Sequence, residues 1–133
     1  MNFFLADTDE VSIVFRGTDP RKAQCEELLA DRQVAITFMT LAELLVWPRV
    51  NQWGPQRRSA LEGRVKGYTI LLPDEDTCRI WAEVRAECQA AGSPIAATDA
   101  WMAAIALQWD LELVTGNFRD YTAVSGLKLV PIE

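Results

Sequence analysis

Three acids stand in apolar surroundings. Asp7 follows Phe3-Phe4-Leu5-Ala6, Glu43 sits between Leu41-Ala42 and Leu44-Leu45, and Asp99 is flanked by Ala97 and Ala100. Burying a carboxylate without a partner is strongly unfavourable, and no lysine or arginine adjoins any of the three in sequence. A divalent cation with oxygen ligands would neutralise them, and Mg²⁺ is typically held by one or two carboxylates together with substrate phosphate. Each residue also has a plainer reading, as an N-cap for Asp7 or Asp99 and as a surface position for Glu43. Their joint placement is the signal.

The chain contains no histidine. That excludes Ser-His-Asp and Cys-His catalysis, His-ligated zinc and imidazole acid–base cleavage of RNA. Carboxylate chemistry with a hard metal is what the inventory leaves.

The positions of the acids depend on the elements around them. Short apolar runs predict strands at Phe3–Ala6, Gln33–Ile36, Tyr68–Leu72, Leu111–Val114 and Leu127–Val130. Helices are expected from Thr8 to Phe15, stopped by Gly17-Thr18-Asp19-Pro20, and from Arg21 to Ala30 with Ala23, Leu28 and Leu29 inward. Thr37 or Thr40 caps a third helix through Leu41, Leu44 and Leu45 that Pro48 ends. A basic helix follows Pro55 to about Lys66. Pro73-Asp74-Glu75-Asp76 opens a helix carrying Ile80, Trp81, Val84, Cys88 and Ala91 at helical spacing, closed by Gly92. The helix from Ala97 is apolar nearly all round, hence central and buried.

Strands alternating with helices predict an α/β fold with a small parallel sheet, where ligands bind beyond the carboxyl ends of the strands. Asp7 falls just past the first strand, Glu43 one turn into the helix after the second, and Asp99 in the first turn of the buried helix. Asn117 follows the fourth strand through Val114-Thr115-Gly116. A parallel sheet gathers all four at one end.

The chain's 133 residues, half hydrophobic and about a quarter charged, suit one compact domain over 1–133 whose core needs no staple. Cys25, Cys78 and Cys88 form no metal-binding pair and read as reduced, buried thiols of a cytoplasmic protein. The start, Met1-Asn2-Phe3-Phe4-Leu5-Ala6-Asp7, lacks a basic lead and a membrane-length apolar run, so a soluble intracellular protein with no membrane partner is expected.

Charge is unevenly spread. Thirteen Lys and Arg against nineteen Asp and Glu give −6, yet Arg49, Arg57, Arg58, Arg64 and Lys66 face only Glu62 between Pro48 and Gly67. Such a strip suits either a solvated helical face or an RNA-backbone landing surface beside an acidic centre. Trp47, Trp53 and Tyr68 are candidates for stacking on unpaired bases. Trp81, Trp101 and Trp109 sit at core-type spacing.

Four stretches, Phe4-Leu5-Ala6-Asp7-Thr8-Asp9, Thr40-Leu41-Ala42-Glu43-Leu44, Thr98 to Ala106 and Leu113 to Tyr121, give the sequence a resemblance to PIN-domain ribonucleases of the VapC type, the toxin half of toxin–antitoxin pairs. The resemblance spans essentially the whole chain. It implies an α/β/α sandwich and a Mg²⁺- or Mn²⁺-dependent endoribonuclease, with Asp7, Glu43 and Asp99 as the acidic triad around the metal. Asn117 occupies the fourth, usually acidic, position without a charge, and Asp120 is the nearby acid that could compensate. Thr8 and Thr115 are candidate hydroxyl donors to water or phosphate. The resemblance further implies in-line hydrolysis by metal-activated water, a cognate antitoxin, and a homodimer for which Leu44-Leu45-Val46-Trp47 is a candidate surface.

Two other readings fit parts of the chain. Asp7-Thr8-Asp9-Glu10-Val11 matches the short D-x-D-x-V pattern of haloacid-dehalogenase-type phosphatases, without their later lysine and acidic metal motif. A receiver-like or degenerate binding module would use Asp7 and Asp9 for Mg²⁺, Asp74 as phosphoacceptor and Lys128 on the last strand.

Overall fold

A computed structural model describes residues 3–15, 19–30 and 33–131, without the side chains of residues 15, 28–30 and 131. Pairs of helices separate the first four of five strands: β1 (Phe3–Ala6), α1 (Thr8–Phe15), α2 (Lys22–Ala30), β2 (Gln33–Thr37), α3 (Phe38–Val50), α4 (Pro55–Val65), β3 (Thr69–Leu71), α5 (Glu75–Ala90), α6 (Ala97–Gln108), β4 (Glu112–Thr115) and β5 (Lys128–Pro131), with a 3₁₀ turn over Phe118–Tyr121. The sheet order is β3-β2-β1-β4-β5, and every pairing is parallel. This is the expected α/β/α arrangement.

Alternation along the strands builds two cores. Phe4 and Ala6 of β1, Val34 and Ile36 of β2 and Val114 of β4 pack with Val11, Ile13, Leu44 and Leu61 from α1, α3 and α4. Leu5, Ala35 and Leu113 point the other way, onto Val84, Cys88, Ala100, Ala103 and Ile105 of α5 and α6. Each large apolar side chain so buried contributes about 1.5–3 kcal/mol. A sheet covered on both faces explains why β1 is apolar without interruption.

Local chemistry sets the helix starts. Thr37 caps α3, its hydroxyl accepting the Thr40 N–H at 3.3 Å. Asp74 and Thr77 form a capping box at α5, and Gly92, at φ +75°, closes that helix in the left-handed region glycine favours.

Several expectations are corrected. Pro48 lies inside α3 and does not end it, because only one carbonyl loses its donor so near the terminus and the Asn51 N–H still reaches the Trp47 carbonyl at 2.9 Å. In α2 Ala23 is exposed and Cys25 is the buried residue. Cys78 is exposed, while Cys25 and Cys88 are buried. Trp81 packs against the core and stacks on the half-buried Trp101 at 5.2 Å between ring centroids, but Trp109, one residue past α6, is 53% exposed. Of the apolar run on α3, Leu44 is buried and Trp47 partly so; Leu45, Val46 and Val50 face outward. The expected Gly17-Thr18 stop, the inward Leu28 and Leu29, and the opening Met1-Asn2 lie outside the described residues. Among the described residues no helix is long and apolar enough to cross a membrane.

Candidate active site

The chain leaves β1 toward β2 on one side of the sheet and pairs β1 with β4 on the other. That reversal is where a parallel sheet opens a crevice beyond its carboxyl ends. Asp7 is the residue there. Its N–H donates to the Val114 carbonyl at 3.0 Å, extending the β1–β4 ladder by one step, and α1 begins at the next residue.

Both Asp7 oxygens are engaged. Oδ1 accepts the Thr8 N–H at 2.8 Å, and Oδ2 accepts the Thr115 hydroxyl at 2.9 Å. Thr115 in turn accepts the Asn117 N–H at 2.9 Å, and the Asn117 side-chain amide donates to Asp9 Oδ2 at 3.1 Å. On the other flank the Thr8 and Thr40 hydroxyls meet at 2.7 Å, joining the starts of α1 and α3.

A cleft of about 170 Å³ opens over these residues, with Asp7, Thr8, Asp9, Glu43, Asp99 and Asn117 in its wall. Glu43 reaches it from α3, one turn after Met39, which also lines it. Asp99 reaches it from the first turn of α6, where the helix dipole favours an acid. The Tyr121 hydroxyl donates to Asp99 Oδ1 at 3.3 Å. A larger hollow of about 280 Å³ among Phe3, Thr69, Leu71, Trp109 and Leu111 carries no acid. Chemistry, not size, distinguishes the cleft.

Burial pushes the Asp7 carboxyl up to about 6, against the pull of its bonds to Thr115 and Thr8. Burial also raises Asp99, opposed by the Tyr121 hydroxyl. Among the described residues no ion pair reaches Asp7, Asp9, Glu43 or Asp99. The donor set is all oxygen and negatively charged, which fits a hard divalent cation. No three acids among the described residues form a ready-made ion cage.

The sequence expectations fare unevenly at this site. Asp7, Glu43, Asp99, Asn117 and Thr8 share the cleft. Thr115 lies beneath it, fully buried, and meets Asp7. Asp120 is exposed on the 3₁₀ turn and does not line the cleft, although its charge is felt by Asp99. Glu43 is exposed, so burial among leucines is not what marks it: Ala42 and Leu45 beside it are exposed too.

None of Arg49, Arg57, Arg58, Arg64 and Lys66 lines the cleft. All five are exposed on the end of α3 and on α4, and Arg49 and Arg58 border a separate hollow with Leu45, Pro48 and Glu62. At about 100° per residue, Arg49 lies on a face of α3 turned well away from Glu43. Arg57 stands 3.8 Å over the Trp53 ring, and Trp47, Trp53 and Tyr68 pack partly on the core, which limits their open stacking faces.

Glu10 escaped the sequence reading. It is fully buried on α1, and burial with the neighbouring Asp7 charge lifts its carboxyl to about 7. No local signal separates it from Asp9, its neighbour in the same first turn, which is exposed.

Residues 6–126 match the PIN domain family model, and the chain belongs to that family. More particularly, it is 34% identical over 122 residues to ribonuclease VapC5 of Mycobacterium tuberculosis, a match covering 90% of this chain and 88% of that protein. Among solved structures it is similar to VapBC-5, a member of the VapBC family of toxin–antitoxin systems from the same organism, with 28% identity, a TM-score of 0.69 and coverage of 99% and 100%. FitAcB from Neisseria gonorrhoeae superposes with a TM-score of 0.78 at 25% identity over 95% of each chain. Asp74 and Lys128, the residues of the receiver-like reading, do not line the cleft: Asp74 Oδ1 accepts the Thr77 N–H at 3.0 Å and the Gln108 amide at 2.9 Å, and Lys128 pairs with Asp110 at 2.9 Å.

Proposed function

We propose that this chain is a Mg²⁺- or Mn²⁺-dependent endoribonuclease and the toxin component of a toxin–antitoxin pair. The observation that carries the reading is the convergence of Asp7, Glu43 and Asp99 on one cleft at the β1–β4 switch point. The names of the VapC relatives support RNA as the polymer.

Asp7, Glu43 and Asp99 would hold the cation, with Asn117 adding an uncharged oxygen. The chemistry a bound cation supplies there is polarisation of phosphoryl oxygen and a lower pKa for water. Thr115 and Thr8 fix the orientation of Asp7 through their bonds to its two oxygens. Tyr121 does the same for Asp99. A cleft carboxylate accepts the proton of the attacking water, a role that histidine, absent from the chain, cannot take.

Arg49, Arg57, Arg58, Arg64 and Lys66 form a landing surface for RNA backbone beyond the cleft. Leu45, Val46 and Val50, exposed on α3, suit a second copy of the chain or an antitoxin segment. The cytoplasm is the setting this reading implies. Labelled RNA incubated with Mg²⁺ or Mn²⁺ tests it: cutting that EDTA stops supports the reading, and cutting that persists in EDTA contradicts it.

A further inference from the structure

We propose that Glu10 is a positioning residue whose buried carboxyl fixes the Thr115-Gly116-Asn117 turn and, through it, the wall of the acidic cleft. Glu10 has no exposed surface. Its Oε1 accepts the Gly116 N–H at 2.7 Å, across 106 residues of chain. Its Oε2 is buried with no hydrogen-bond partner.

That arrangement is a poor way to fill a core. Val11, Ile13 and Val14 of the same short helix fill the core with apolar side chains, and an unsatisfied buried oxygen is destabilising. What an apolar residue cannot do at this position is accept the Gly116 N–H. The turn so held presents the Thr115 hydroxyl to Asp7 and the Asn117 side chain to Asp9. Glu10 itself does not line the cleft, so it acts on the site through this turn. Its effect on cleavage rests on the nuclease reading; its effect on the turn does not.

Two variants separate position from bulk. Glu10→Gln keeps an acceptor for Gly116, whereas Glu10→Leu keeps an apolar volume and removes it. In metal-free protein, hydrogen exchange of the Gly116 amide should stay slow in Glu10→Gln and accelerate at least tenfold in Glu10→Leu. The melting temperature of Glu10→Leu should match or exceed the parent's, because the orphaned oxygen is gone. With Mn²⁺ and RNA, kcat should fall roughly ten- to hundredfold in Glu10→Leu with KM little changed, and Glu10→Gln should restore it to within a few-fold. Unchanged Gly116 exchange in Glu10→Leu overturns the proposal. So does equal loss of kcat in both variants. If the parent cuts no RNA, the nuclease reading fails, and the exchange comparison still decides whether Glu10 holds the turn.

Discussion

The Thr115 hydroxyl donates to Asp7 Oδ2 at 2.9 Å while accepting the Asn117 N–H at the same distance. One buried oxygen therefore ties the end of β4 to the end of β1 and sets the direction of the turn beyond. Thr115→Val keeps the shape and removes both bonds. Because that donor pulls the Asp7 carboxyl down, its loss should raise the Asp7 pKa further above about 6, as carboxyl NMR titration of metal-free protein would show. RNA cleavage should drop roughly tenfold, in line with one lost hydrogen bond to a charged group, and Thr115→Ser should retain most of it.

Stability of the metal-free protein should fall as pH rises. Asp7 and Glu10 titrate at about 6 and about 7 in the folded chain, against ordinary values of about 4. The folded state thus binds more protons than the unfolded state between those limits. The stabilisation is complete below about pH 4 and lost by about pH 7, on the order of a few kcal/mol together. Thermal melts from pH 4.5 to 7.5 measure it. Mg²⁺ should restore stability at pH 7.5 and add little at pH 5; a melting temperature that climbs steadily with pH would refute this.

The fold was largely legible because apolar runs and helix-start chemistry are local. The unbroken apolar run of β1 announces burial on both faces, and Asp74 and Thr37 mark helix starts that the structure keeps. Asp7 and Asp99 were legible for the same reason, an acid set in apolar sequence at an element boundary. Glu43 reaches the cleft for a reason that sequence context misstated, since its neighbours Ala42 and Leu45 are exposed. Glu10 was missed because its partner, Gly116, lies 106 residues away, and no local pattern encodes a contact of that span. That Arg49 turns away from Glu43 follows from their six-residue spacing on α3, but that Arg58 of α4 shares a hollow with Arg49 is a tertiary contact that no local pattern encodes.

Asn117 makes the fourth position of the cleft uncharged. Asn117→Asp would add a carboxylate beside Asp9, whose Oδ2 now accepts the Asn117 amide at 3.1 Å. Two like charges at that spacing repel, so the metal-free variant should melt several degrees lower. Its Mn²⁺ affinity should rise roughly tenfold, about 1.4 kcal/mol, because the added charge binds the cation directly. Calorimetric titration with Mn²⁺, run beside a melt of the metal-free protein, checks both signs.

Arg49 and Arg58 border the hollow between α3 and α4, away from the acids. Replacing both with Ala should weaken binding of catalytically silenced protein to RNA and lower the salt slope of log K by roughly 1 to 2, one counterion per lost phosphate contact. Single-turnover cleavage at saturating RNA should be nearly unchanged. A slope identical to the parent's would remove the strip from the RNA path.

The most direct measurement compares the parent with Asp7→Asn and Asp99→Asn, purified identically, on end-labelled RNA with Mn²⁺ and with EDTA. The proposed site predicts cutting by the parent that requires the metal and falls at least a hundredfold in each variant, while all three proteins melt cooperatively. Variants that cut as fast as the parent would show that these carboxylates do not carry the reaction.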